Sequence, residues 1–334
     1  MPLDKVKTIL ADIKNGKTKP IYFLMGEEPY YIDAISKYIE QNLLSEAEKG
    51  FNQMVLYGRD VTVDDIIANA KRYPMMAEKQ VVIVKEAQDL SRTMENLLSY
   101  ALNPQPTTVL VLCYKYKTLD KRKKLAKAVA EKGLLFESKK MYDDKVPDWI
   151  RRVLAGRGYT ITPKASQMLV EFLGNDLSRI SNELEKLQLI IKPGDQITPQ
   201  LIEENIGISK DFNNFELQNA IGERDIRKAF AIVQYFSQNP KSNPMPMTIA
   251  LLYGFFSKLL KYHALSNKGD AAKALGVHPF FLKDYHTAAR NYPMKKVSAN
   301  IAVIREIDMK SKGVGAANLP QGDLLKELLV KIFN

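Results

Sequence analysis

The apolar run Ile21 to Met25 leads into Gly26-Glu27-Glu28-Pro29-Tyr30-Tyr31, an order in which a phosphate-binding loop would be sought. Such a loop works by turning backbone N–H groups at a helix start, and a lysine, onto an anion. Here the chemistry is missing. There is one glycine where G-x-x-x-x-G-K-[ST] needs two, no following lysine, two carboxylates that repel phosphate, and Pro29, which has no amide to donate. The acid that would hold magnesium at the end of Val81 to Val84 is displaced as well: Lys85 follows directly and Glu86 comes only after it. Glu86 alone reads as a solvated strand-end acid. Cys113 is the single cysteine, so an intrachain disulfide is excluded and a reducing cytosol fits. At the end of an apolar run its thiol is expected to be inert packing. His263, His278 and His286, with no second cysteine, form no metal-ligand pattern, and G-x-S-x-G, H-E-x-x-H and Cys-x-x-Cys are all absent. No catalytic, cofactor-binding or metal-binding residues are expected.

A different kind of function is written in Lys71 to Ala87, KRYPMMAEKQVVIVKEA. Pro74 disfavours helical geometry at Tyr73 and cannot continue a helix itself, so Met75 and Met76 fall on a connection between a helix and the buried run Val81 to Val84. Large apolar side chains on a connection need a partner, either the protein's own core or another protein. Methionine, unbranched and adaptable, suits a protein partner.

The elements that must position these residues follow from the apolar patterning. Candidate strands are 21–25, 54–57, 81–84, 109–113 and 134–137, and helical patterns cover roughly 30–44, 63–73, 90–101 and 119–131. Strands apolar on both faces and separated by helices predict a parallel five-stranded sheet covered on both sides, with any ligand at the carboxyl ends of the strands. Residues 141–210 read as helical: Pro147 opens a helix anchored by Trp149, and Asp176 caps one whose apolar face is Leu177, Ile180, Leu184, Leu187 and Ile191. Residues 211–334 read as all-helical, with long segments near 226–236, 247–266, 279–290 and 295–312 and a last helix from Asp323. At 334 residues the chain exceeds what one core usually serves. Three domains are expected: 1–140 α/β, 141–210 a small helical domain, and 211–334 all-α. No apolar run is long enough to span a bilayer, and the N-terminus lacks the apolar core of a secretory signal.

The net charge is +11, distributed as +5, −1 and +7 over those three parts. A polyanion nearby and a merely solvated basic surface both fit this balance. The densest basic run, Lys121-Arg122-Lys123-Lys124, is either the charged outer face of a crossover helix or a contact for a DNA backbone. Ala272, Gly276 and Leu282 fall at helix-turn-helix spacing, but the would-be reading helix starts Pro279-Phe280-Phe281-Leu282, residues suited to a core and not to base edges.

Three segments resemble one family. Lys19 to Tyr31 is similar to the opening of the delta subunits of bacterial DNA polymerase III, the clamp-loader "wrench". Arg72 to Val84 resembles their helix–knuckle–strand segment. Leu173-Gly174-Asn175-Asp176-Leu177 with Asn182-Glu183-Leu184-Glu185-Lys186-Leu187 resembles their second-domain signature, and Arg305 to Lys310 with Lys312-Gly313 their late helix. The resemblance implies an AAA+-like module without a working ATP site, a helical lid and a helical collar. It implies a cytoplasmic bacterial subunit that assembles with clamp-loader ATPase and delta-prime subunits, ATP being bound on those partners only. It further implies that the chain grips the sliding clamp with an apolar pair and springs the ring for loading onto primed DNA. By position the grip is Met75 and Met76, with Tyr73 and Pro74 shaping it; two methionines stand where the family more usually has a pair such as Leu-Phe. The rival readings are an active nucleotide-dependent enzyme on the same sheet and a helix-turn-helix DNA binder.

Overall fold

A computed structural model describes residues 2–207, 209, 211–315 and 319–334. The chain divides into two compact units, Met1–Met141 and Tyr142–Asn334.

In the first unit the elements run α1 (Pro2–Lys14), β1 (Ile21–Gly26), α2 (Pro29–Asn42), α3 (Glu46–Asn52), β2 (Gln53–Tyr57), α4 (Val63–Ala70), β3 (Gln80–Lys85), α5 (Leu98–Leu102), β4 (Thr108–Lys115), α6 (Lys124–Lys132) and β5 (Leu134–Ser138). The five strands form one parallel sheet in the order β2-β3-β4-β1-β5. Every residue of β1 is buried, and so are all but the last of β3 and β4, as a sheet covered on both faces requires. On one face Phe23, Met25, Val82, Val84, Leu110 and Leu112 pack with Ile66 of α4, Tyr100 of α5 and Leu125 and Val129 of α6. The other face is covered by α2, whose Ile32, Ile35 and Ile39 are buried.

Two predicted helices start later than their periodicity implies. The pattern over 90–101 resolves into two single 3₁₀ turns, Ala87–Leu90 and Met94–Leu97, ahead of α5. The pattern from Leu119 starts as a helix only at Lys124, because the Asp120 carboxylate takes the Arg122 amide (3.0 Å) and its guanidinium in a local turn that competes with the helix.

The second unit begins with α7 (Val146–Ala155), β6 (Thr160–Ile161), α8 (Pro163–Leu173), α9 (Leu177–Gln188), β7 (Gln196–Ile197) and α10 (Pro199–Ile206). β6 and β7 form a short parallel pair inside the segment read as wholly helical. It arises where the Lys192–Asp195 turn brings the chain back beside Gly158. α9 starts as expected, with the Asp176 side chain accepting the Arg179 amide at 3.0 Å, and Leu177, Ile180, Leu184 and Leu187 are buried. There follow α11 (Asn214–Glu223), α12 (Ile226–Gln238), α13 (Met245–Ala264), α14 (Ala271–Leu275), α15 (Leu282–Asn291), α16 (Met294–Ser311) and α17 (Gln321–Phe333), packed around one apolar core. The buried Glu216 of α11 stands between Lys164 of α8 (2.6 Å) and Lys228 of α12 (2.5 Å). Burial opposes its charge, but the two lysines outweigh that and hold its carboxyl below the usual range.

The turn Gly276 has φ +62 and closes α14, as the helix-turn-helix spacing required. α15, however, buries Tyr285 and Ala288 in the core, and Phe281 at its start is buried too. Among the described residues no helix is long and apolar enough to cross a membrane.

Candidate functional site

At the carboxyl ends of the strands, where a nucleotide would lie, the loop after β1 is bonded to its own protein. The Gly26 amide donates to Lys117 O (3.0 Å), the Glu28 amide to Ser138 O (3.3 Å), and the Tyr30 amide to the Glu28 carboxylate, which caps α2 (3.1 Å). A Cβ at Gly26 would stand 2.0 Å from Ser138 O, so the two backbones touch. Glu86 is not the solvated acid expected. It lies at φ +52, and its carboxylate accepts from Gln88 and pairs with Lys115 (3.2 Å), which also reaches Asp33 (2.9 Å). Burial opposes the charge of Glu86 and of Lys115, yet the contacts outweigh it: the carboxyl is held low and the ammonium high. Lys85 pairs with Glu40 at 3.2 Å. A lysine–carboxylate network thus stands at the carboxyl ends of β3 and β4. Cys113 is buried inside β4, and burial pushes its thiol up to about 11, the state of an inert packing group.

The knuckle lies at the opposite end of β3. The pattern predicts a helix up to Tyr73, but α4 stops at Ala70, and the cause is tertiary. The buried Gln80 side chain donates to the carbonyls of Asn69 and Arg72, and Thr108 Oγ1 donates to Ala70 O (2.8 Å), so the helix end is satisfied by β3 and β4. Beyond it, Asn52 at the end of α3 holds the Met75 backbone from both sides: Nδ2 donates to Met75 O (2.9 Å) and the Met75 amide donates to Oδ1 (2.6 Å). Met76 then takes φ +52, a conformation costly for a residue with a Cβ. The result is a supported backbone carrying bare side chains: relative exposure is 77% at Tyr73, 62% at Met75 and 104% at Met76. Pro74 is half-buried beneath them. The possibility that the methionines tuck under their own sheet is excluded.

Sequence reasoning missed three residues here. Asn52 and Gln80 shape the knuckle from 23 and 8 residues away from their bonding partners, and no local spacing marks them. Phe51, 77% exposed beside Asn52, adds a large apolar side chain at the end of α3. It gave no signal because it falls between the predicted helix over 30–44 and the predicted strand over 54–57, in a stretch whose pattern predicts no element.

The basic run is differently placed. Lys121 pairs with Glu137 (2.5 Å), Arg122 with Asp120 (2.8 Å) and Lys123 with Glu95 (3.4 Å); Lys124, the first residue of α6, is exposed.

Family comparisons agree with this architecture. The model described as DNA polymerase III, delta subunit, matches residues 22–139, and that of the DNA polymerase III delta subunit, C-terminal domain, matches residues 211–325. DNA polymerase III subunit delta of Bacillus subtilis (strain 168) is 30% identical, with 97% of this chain and 94% of that protein covered. The solved structure of the Bacillus subtilis DNA clamp loader delta protein matches with a TM-score of 0.56 and 26% identity, over 98% of this chain and 99% of that one. A five-stranded parallel sheet whose first loop is bonded to its own protein, a helical unit following it in sequence and these matches along nearly the whole length lead to one conclusion: the chain belongs to the DNA polymerase III delta-subunit family of clamp-loader components.

Proposed function

We propose that the chain binds the sliding clamp by inserting Met75 and Met76 into an apolar pocket on the ring, with Tyr73 and Pro74 shaping the contact, and that this binding favours the opened ring. The observation that carries the reading is the combination of an anchored backbone and two bare methionines. An anchor ordered in advance loses little entropy on docking. Burying each methionine yields about 1.5–3 kcal/mol, enough for two side chains to dominate a small contact. Opening the ring needs only that the chain bind the sprung interface better than the closed one, so no hydrolysis by this chain is required.

The absence of ATPase activity in this chain belongs to the same proposal. It is supported by the amides of Gly26, Glu28 and Tyr30 being taken up internally and by Lys115 lying between Asp33 and Glu86. ATP would act on neighbouring loader subunits, in the bacterial cytoplasm, and primed DNA would be met through the assembled complex. A DNA-backbone role for Lys121, Arg122 and Lys123 gains no support, since each already faces a carboxylate. The lid at 141–210 and collar at 211–334 remain the proposed division of the second unit.

The test is capture of the sliding clamp by the full chain, wild type against Met75→Ala/Met76→Ala. Loss of roughly 100-fold or more in affinity is expected from two large truncations. Unchanged clamp binding in the double variant would sink the site assignment.

A further inference from the structure

At the amino-terminal ends of the strands, the same end of the sheet as the knuckle, lies a cleft of about 330 Å³. Thr18, Lys19 and Pro20 wall it ahead of β1, Lys79 ahead of β3, Pro104, Pro106 and Thr108 around the start of β4, and Lys132 at the end of α6. Among the described residues three ammonium groups and no carboxylate line it. Lys79 Nζ donates to Thr18 Oγ1, which leaves its charge uncompensated. Among the described residues Lys132 has only its exposed neighbour Glu131, at 3.1 Å, and no carboxylate pairs with Lys19 or Lys79.

This cleft is joined to the knuckle. Lys79 is three residues beyond Met76. The Gln80 side chain bonds both Arg72 O, at the root of the knuckle, and Thr108 Oγ1, in the cleft wall (2.8 Å). A protein surface seated on Met75 and Met76 therefore meets the cleft at its Lys79 and Thr108 side.

We infer that the Lys19–Lys79–Lys132 cleft receives acidic side chains of the clamp gripped by the knuckle, a charged second contact beside the apolar one. This rests on the clamp-binding reading above. The form of the cleft favours carboxylate side chains over a nucleic-acid backbone. It is a single recess lined by Pro20, Pro104 and Pro106 beside the lysines, whereas backbone binding needs a basic groove that tracks successive phosphates. Lysines at the rim of an interface raise the association rate and make affinity depend on salt.

The experiment compares wild type, K19Q/K79Q/K132Q and Met75→Ala/Met76→Ala, each as the full chain, for affinity to the sliding clamp between about 50 and 300 mM salt, with a short primed duplex as a separate probe. All three lysines are at least partly exposed, so thermal unfolding should be unchanged and serves as the folding control. The expected result for the lysine variant is clamp binding weaker by about ten-fold at low salt, a flatter dependence on salt, and convergence with wild type at high salt. The methionine variant should lose affinity yet keep the wild-type salt slope in whatever binding remains. Wild-type clamp affinity and salt slope in K19Q/K79Q/K132Q would overturn the inference while leaving the knuckle intact. Loss of duplex binding with clamp affinity unchanged would overturn it in favour of a phosphate site. Clamp binding unaffected in the methionine variant would instead overturn the reading on which it rests.

Discussion

Asn52→Ala tests whether the knuckle is a preorganised grip or merely two exposed methionines. The substitution leaves Tyr73, Met75 and Met76 untouched and removes both hydrogen bonds that hold the Met75 backbone, at 2.9 and 2.6 Å. Each such bond contributes about 1 kcal/mol net, so about 2 kcal/mol of local order is lost. Keeping Met76 left-handed costs about 1–2 kcal/mol, which the Asn52 pair is placed to offset. Without the pair the docking conformation becomes one among several, and apparent affinity falls by the fraction that remains competent. Two kcal/mol corresponds to a ceiling of about 30-fold, so clamp affinity should weaken roughly 5- to 30-fold with every contact side chain still present. Hydrogen exchange gives the structural readout: the Met75 amide, which donates to Asn52 Oδ1, should exchange faster by a similar factor. If Asn52→Ala keeps both wild-type clamp affinity and protection of the Met75 amide, the preorganisation argument is wrong.

Other outcomes follow from the same physics. Gly26→Ala should destabilise the first unit by more than about 3 kcal/mol, seen as a lower thermal midpoint, because the added Cβ meets Ser138 O at 2.0 Å with φ at +128. Asn300→Leu should raise the midpoint by a few degrees: Asn300 is fully buried in α16 with neither side-chain polar atom partnered among the described residues, and an apolar side chain of similar size avoids that cost. Glu171 is raised to about 8, first by burial, although Gln167 and the Phe215 amide pull the other way. A carboxyl raised in the folded state keeps its proton there while the unfolded chain has lost it. It therefore lowers stability progressively as pH rises from the ordinary carboxyl range to about 8, and Glu171→Gln should flatten that stretch of the stability–pH curve measured by denaturant unfolding.

Much of the architecture was legible because it rests on local rules. Apolar runs separated by helical patterns called for a covered parallel sheet, and five strands are there. The failed phosphate loop was readable residue by residue, since one glycine, two acids and a proline are local facts. Helix lengths were less legible where side chains compete with the backbone: Asp120 delays the start of α6, and Gln80 with Thr108 takes the carbonyls that end α4.

By itself, then, the sequence determined that Met75 and Met76 stand on a connection after Pro74, because proline restricts its own backbone and that of its predecessor whatever surrounds it. Only the tertiary structure decided that they face solvent on a braced loop. Asn52 reaches Met75 from 23 residues away and Gln80 reaches across to Thr108, 28 residues on. The same holds for Lys115, which meets two carboxylates only because β4 carries it between Asp33 of α2 and Glu86 after β3. Such contacts are set by strand order and register, which bring together residues that have no pattern in common along the chain.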